Sequence, residues 1–218
     1  MQTFRHVQPA PACRAGWPGR RMAAAQHNGL MVQVVMFHSA YGRRQAEADA
    51  AARLRVAGHD VIIPDLYDGQ TATSMDAALA LMDTVRWQVI CARARRALET
   101  VPETAVLAGF SMGAGVIGSV WDQRQRAAGV VLLHGIAPIP ASARPGLPVQ
   151  VHLAENDPFA SRQDVAQWQA DAARAGLAAE VFTYPGAAHF YTDPCLADYH
   201  SASASLTWQR VTAFLTAL

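Results

Sequence analysis

Short apolar runs alternate with longer segments of helical period along most of this chain. Val32 to Phe37 is an apolar run that ends in a loop at His38-Ser39-Ala40-Tyr41-Gly42. From Arg43 to Ala57 the spacing of Ala46, Ala50 and Leu54 predicts a helix, with Gly58 as its stop. Val61-Ile62-Ile63 is a second strand, closed by Pro64-Asp65. Ser74 is placed to cap a long helix reaching about Leu98, with Leu79, Met82, Val85 and Val89 on one face. Further strands are expected at 105–108, 129–133, 149–153 and 180–184, and helices at 112–125, 161–176 and 206–218. Ser161 and Asp164 have the spacing of a capping box at the start of the second of these helices. Continuous apolar strands of this length suit a parallel sheet covered on both faces. The order predicts an open, doubly wound, mostly parallel α/β sheet of six or more strands.

Residues 1–30 break the pattern. They hold Pro9, Pro11 and Pro18, four arginines and no acid, which reads as a disordered N-terminal extension; residues 31–218 then form a single domain. The expected native start is Met22 or Met31. Composition narrows the function classes. Half of the 218 residues are apolar and the formal net charge is +1, so nothing in the charge balance points to nucleic acid or an anionic membrane. No apolar run approaches the ~18 residues of a membrane span. Cys13, Cys91 and Cys195 are too dispersed for a metal motif or a disulfide framework, which fits a cytoplasmic protein. Cys91 falls in a helical pattern and is expected to be a buried thiol.

The candidate chemistry sits at Gly109-Phe110-Ser111-Met112-Gly113, between a strand and a helix. A Gly-x-Ser-x-Gly turn in that setting holds a serine in a strained conformation at a helix N-terminus, where free N–H groups face the reacting oxygen. A serine hydroxyl needs a base, and the base needs an acid to orient it. Asp157 follows the strand at 149–153 and His189 follows the strand at 180–184, separated from Ser111 and from each other by 46 and 32 residues. Order and topological position agree with a Ser, Asp, His set. Glu155 is a competing acid, and Asp164 is better used as a cap. Among other histidines, His59 and His152 are poorly placed and His200 reads as surface. His134 follows a strand and either looks into the site or is a satisfied core residue. The expected oxyanion donors are the backbone N–H groups of Met112 and of Ala40, with His38 bracing the loop. Tyr41, Tyr67, Phe159, Phe190 and Tyr191 lie on loops at the expected site edge as candidate substrate-binding residues. Arg43 and Arg86 are candidate receivers of a substrate carboxylate.

These segments, with Ala57-Gly58-His59-Asp60-Val61, Pro64-Asp65-Leu66-Tyr67-Asp68-Gly69, Val149-Gln150-Val151-His152 and Tyr184-Pro185-Gly186-Ala187-Ala188-His189, resemble the dienelactone hydrolase family, especially its short serine-containing bacterial members. The resemblance spans nearly everything from Met31 onward. It implies an α/β-hydrolase fold without a large lid domain, acting on a small-molecule ester or lactone with no metal or organic cofactor. Two departures stand out. Ser111 occupies the place of the founding members' cysteine, and Ser39 that of the first-loop glutamate that engages the thiol. A serine esterase mechanism is therefore expected rather than thiol-specific activation. A lysophospholipase-like carboxylesterase or thioesterase, and a non-catalytic binding protein on the same scaffold, are the competing readings. Oligomeric state is not encoded in any pattern seen here.

Overall fold

The computed structural model describes residues 31–218. The expected N-terminal extension, Cys13 and the alternative start at Met22 lie outside the described residues. Six parallel strands form one sheet: β1 (Gln33–Phe37), β2 (Asp60–Ile62), β3 (Val106–Phe110), β4 (Val130–Leu133), β5 (Pro148–Ala154) and β6 (Ala178–Tyr184), in the spatial order β2-β1-β3-β4-β5-β6. The helices are α1 (Gln45–Val56), α2 (Met75–Val85), α3 (Trp87–Leu98), α4 (Met112–Val120), α5 (Arg162–Arg174) and α6 (Ser201–Ala217). The doubly wound sheet read from the sequence is the one observed.

Alternate strand residues feed two cores, as a period of two requires. Val34 and Met36 of β1, Val106 and Ala108 of β3 and Val131 of β4 pack against α1 and α6 through Leu54, Trp208, Val211 and Leu215. Val35, Phe37, Leu107, Val130 and Leu132 face the other way. They form a larger core with Ile90 of α3, Ile117 of α4 and Trp168 of α5. With both faces buried, the strands have no polar side to present, which is why their sequences read as unbroken apolar runs. All six strands run in one direction, so the loops after β1, β3, β4, β5 and β6 gather at one edge of the sheet. That is where an open α/β sheet carries its ligands.

Local signals were mostly observed as expected. Ser74 accepts the Ala77 N–H at the start of α2, and Ser161 and Asp164 form a reciprocal capping box on α5. Gly58 and Gly176 close α1 and α5 with positive φ, and Cys91 is buried on α3. The long helix expected from Ser74 to Leu98 is instead two helices. The chain breaks at Arg86, whose φ of 72° and ψ of 137° end α2 and redirect α3. The break rotates the apolar faces out of phase. Leu79 and Val89, expected inside, are exposed, while Ala78, Ile90, Cys91, Ala94 and Leu98 are buried. The helix expected at 112–125 ends at Val120 in a 3₁₀ turn over Trp121–Gln123. Among the described residues, no helix is long and apolar enough to cross a membrane.

Candidate active site

Ser111 stands at the junction of β3 and α4 with φ 50° and ψ −105°, a conformation that L residues rarely adopt. Two glycines make the turn possible. A Cβ on Gly109 would lie 2.4 Å from the Gly113 carbonyl, and a Cβ on Gly113 would lie 2.3 Å from the Phe37 carbonyl oxygen. The second contact matters most, because it lets α4 press against the end of β1 and bring the first loop beside the serine. The Ser111 N–H bonds the Leu133 carbonyl at 2.7 Å, tying the turn to β4. As the first residue of α4, Met112 carries one of the N–H groups that have no intrahelical acceptor.

The Ser111 Oγ lies 2.9 Å from His189 Nε2, and His189 Nδ1 lies 2.7 and 2.9 Å from the two carboxylate oxygens of Asp157. The carboxylate can only accept, so Nδ1 carries the hydrogen and Nε2 is left to accept from the serine. Asp157 is itself fixed, since its Oδ1 also accepts the Phe159 N–H at 2.9 Å. Asp157 and His189 are buried, while Ser111 is half-buried. The three residues chosen from chain order are thus in one hydrogen-bonded line. Glu155, the competing acid, pairs with Arg162 at 3.4 Å instead.

The first loop is held from three sides. His38 Nδ1 lies 2.7 Å from the Ser39 carbonyl oxygen, and His38 Nε2 accepts the Leu66 N–H at 3.0 Å. Burial pushes the His38 pKa down, which keeps the ring neutral and able to do both. Gly42 N–H also bonds the Ser39 carbonyl, at 3.0 Å. Glu47, on α1, accepts from the Ser39 N–H and hydroxyl and from the Arg44 N–H. Glu47 was missed in the sequence, although an acid three residues before Ala50 on the apolar face of α1 was a visible anomaly. A second missed link is the ion pair between Arg44 and Asp193, 2.5 Å long, which joins the first loop to the loop carrying His189.

The aromatic candidates separate into groups. Phe159 and Phe190 flank His189 with ring centroids 4.6 and 4.4 Å away, and Tyr41 meets Phe190 edge-on at 5.3 Å. Phe159 is exposed; Phe190 and Tyr41 are buried. Tyr67 is buried on the other flank, where its hydroxyl donates to Met112 Sδ at 3.0 Å and burial pushes its pKa up to about 12. Tyr191 does not reach the site edge. It is buried in a small cluster with Ala154 and Tyr184, and its hydroxyl lies 2.9 Å from the Thr207 hydroxyl. His134 packs behind the base, its ring centroid 6.0 Å from that of His189 and its Nε2 2.7 Å from the Thr192 hydroxyl. His152 is wholly buried between the Tyr184 hydroxyl and the Gln150 amide, with its pKa lowered to about 3. Neither carboxylate candidate enters this constellation: Arg43 is exposed 3.7 Å from Asp65, and Arg86 is exposed at the α2–α3 break. A cleft of about 1130 Å³ between residues 136–145 and α5 includes none of Ser111, Asp157 and His189. Among the described residues, no cluster of His, Cys, Asp or Glu could hold a metal ion.

The model of the dienelactone hydrolase family matches residues 21–218, nearly the whole chain. The chain belongs to the dienelactone hydrolase family. Among solved structures, a dienelactone hydrolase-like promiscuous phosphotriesterase from metagenomic libraries is similar, at 18% identity and a TM-score of 0.73, covering 87% of each chain. A Klebsiella pneumoniae protein designated a dienelactone hydrolase is 20% identical at a TM-score of 0.67, covering 86% of this chain and 88% of that one. The esterase PE8 is 14% identical at a TM-score of 0.57, covering 86% and 94%. Among curated proteins, none matches the sequence. The neighbours show an α/β-hydrolase-like fold, and membership of the dienelactone hydrolase family supports a hydrolase.

Proposed function

We propose that this member of the dienelactone hydrolase family is a serine hydrolase that cleaves a carboxylic ester or lactone through an acyl-enzyme on Ser111. The observation that carries the reading is the hydrogen-bonded line from Ser111 through His189 to Asp157, set on a strained strand-to-helix turn. In this mechanism His189 Nε2 takes the serine proton as Oγ attacks the carbonyl carbon. Asp157 holds the imidazole in the required tautomer and stabilises its positive form. The Met112 and Ala40 N–H groups receive the developing oxyanion, a contribution worth ~10²–10³ in turnover per donor. Collapse of the tetrahedral intermediate expels the alcohol, which takes the proton from His189. Water then adds to the acyl-enzyme with His189 as base, and the carboxylic acid leaves. All steps use this chain's own groups. Phe159, exposed beside the base, gives the acyl or alcohol portion an apolar surface, backed by the buried Phe190 and Tyr41, which favours an uncharged substrate. Tyr67 supports the opposite flank through Met112.

The test is a panel of ester, lactone and thioester substrates assayed with wild type and Ser111→Ala. The reading expects burst release of nitrophenol from an activated acetate by the wild type and its disappearance in the variant. Hydrolysis that persists at the wild-type rate in Ser111→Ala would rule the assignment out.

A further inference from the structure

An oxyanion donor on a loop works only if its peptide plane is held the right way round. In a trans peptide the C=O and the following N–H point in opposite directions. Rotation of the Ser39–Ala40 plane by half a turn would present a carbonyl oxygen where a donor is needed, and would repel the charge it should stabilise. Loops with free peptides make such flips readily, so something must prevent it.

Two contacts act on this plane directly, and a third group holds the residue that carries it. Its carbonyl accepts from the Gly42 N–H at 3.0 Å and lies 2.7 Å from His38 Nδ1. Because the carbonyl can only accept, Nδ1 carries the hydrogen. The Leu66 N–H then meets the bare Nε2, so the surroundings of this imidazole specify a single neutral tautomer. On the preceding peptide, the Ser39 N–H and hydroxyl are both held by one oxygen of the Glu47 carboxylate, at 3.3 and 3.1 Å. Its other oxygen takes the Arg44 N–H at 3.0 Å. A carboxylate only 2% exposed is costly to bury, and burial pushes its pKa up. These three donors belong to the loop between β1 and α1.

We infer that His38 and Glu47 are positioning residues that clamp the Ser39–Ala40 peptide so that the Ala40 N–H is presented to the oxyanion. The inference rests on the serine hydrolase reading above. His38 anchors the carbonyl end of the plane, Glu47 anchors the residue that carries it, and neither touches the substrate.

Asparagine and glutamine divide the two jobs of His38. His38→Asn keeps a donor near the Nδ1 position for the Ser39 carbonyl but loses the acceptor for Leu66. His38→Gln keeps an acceptor near the Nε2 position and loses the donor. The experiment measures kcat and KM on an activated acetate ester, the melting temperature, and the infrared carbonyl stretch of a slowly deacylating acyl-enzyme. Expected for His38→Asn is a lower melting temperature with kcat within about threefold of wild type. Expected for His38→Gln is a kcat loss between about tenfold and the ~10³-fold of a missing donor, at unchanged KM. Its acyl carbonyl stretch should rise as the hydrogen bond weakens. Glu47→Gln offers one acceptor oxygen where the carboxylate offers two, and should behave like His38→Gln; this arm stands if a His38 variant does not fold. Wild-type kcat in His38→Gln or Glu47→Gln, or losses that track melting temperature with an unmoved carbonyl stretch, would overturn the inference. A wild type without Ser111-dependent hydrolysis would overturn the serine hydrolase reading itself, and the inference with it.

Discussion

Replacing Gly113 by alanine adds a single methyl group at the most crowded point of the nucleophile turn. The new Cβ would lie 2.3 Å from the Phe37 carbonyl oxygen, 2.8 Å from the Phe37 carbonyl carbon and 2.9 Å from the His38 carbonyl oxygen. Ordinary contact begins near 3.4 Å, and separations under 3.0 Å essentially do not occur. The obstacle is backbone on both sides, so no rotamer change relieves it. The end of β1 and the start of α4 must part by about 0.7–1.1 Å. Overpacking of this kind costs about 3 kcal/mol when nothing flexible can yield. The displacement also separates the Ala40 loop from Ser111 by the distance at which misplacement costs on the order of 10²-fold in rate. We therefore predict that Gly113→Ala lowers kcat about a hundredfold in protein that is still folded, measured by nitrophenyl ester turnover below its melting temperature. Gly58→Ala is the control. Nothing lies within 4 Å of its Cβ, but its φ is +94°. It should cost about 1–2 kcal/mol in urea denaturation and leave kcat unchanged. Equal kcat losses in the two variants, or a fully active Gly113→Ala, would refute the close-approach argument.

Acid should unfold the protein from a higher pH than its surface carboxylates alone would require. His38, His134 and His152 are held neutral by burial below the ordinary imidazole value of 6.5, His152 at about 3. Each takes up a proton on unfolding, so its contribution is intact above pH 6.5 and is lost as pH falls toward the folded value. Glu47, raised by burial, has the opposite sign and relieves part of the loss as it protonates. The net expectation is a decline in stability as pH falls from 6 to 5, each histidine that stays neutral contributing up to roughly 1.4 kcal/mol per pH unit, read from urea midpoints; a flat profile would contradict it. Arg44→Ala strips the partner from Asp193, a carboxylate left 5% exposed, and should cost about 3–5 kcal/mol. Adding Asp193→Asn should recover part of that in a double-mutant cycle, and strictly additive losses would show that the pair does not couple the two loops.

The sheet was legible because its central strands β1, β3, β4 and β5 are buried on both faces, which leaves apolar runs between helical segments. Ser111, Asp157 and His189 were legible for a related reason. A parallel sheet delivers every post-strand loop to one edge, so chain order alone says which loops meet. What the sequence concealed depends on through-space geometry or on a local break. Arg86 carries no proline or glycine signal, yet its positive φ divides one expected helix into two and moves Leu79 and Val89 to the surface. Phe190 and Tyr191 are adjacent and equally aromatic, but Phe190 packs against His189 whereas Tyr191 packs against Ala154 and Tyr184. Arg44 and Asp193 are 149 residues apart, and no spacing rule connects them. Glu47 was also missed, although an acid beside the apolar face of its helix is a signal that could have found it.

The central claim is that Ser111 is the nucleophile, activated by His189. The most direct measurement is covalent labelling with a fluorophosphonate, with the modified residue located by peptide mass spectrometry. The account predicts one label per chain on Ser111, none in Ser111→Ala, and labelling slowed by at least a hundredfold in His189→Ala. A label on another residue, or a Ser111→Ala protein that still reacts at the wild-type rate, would contradict it.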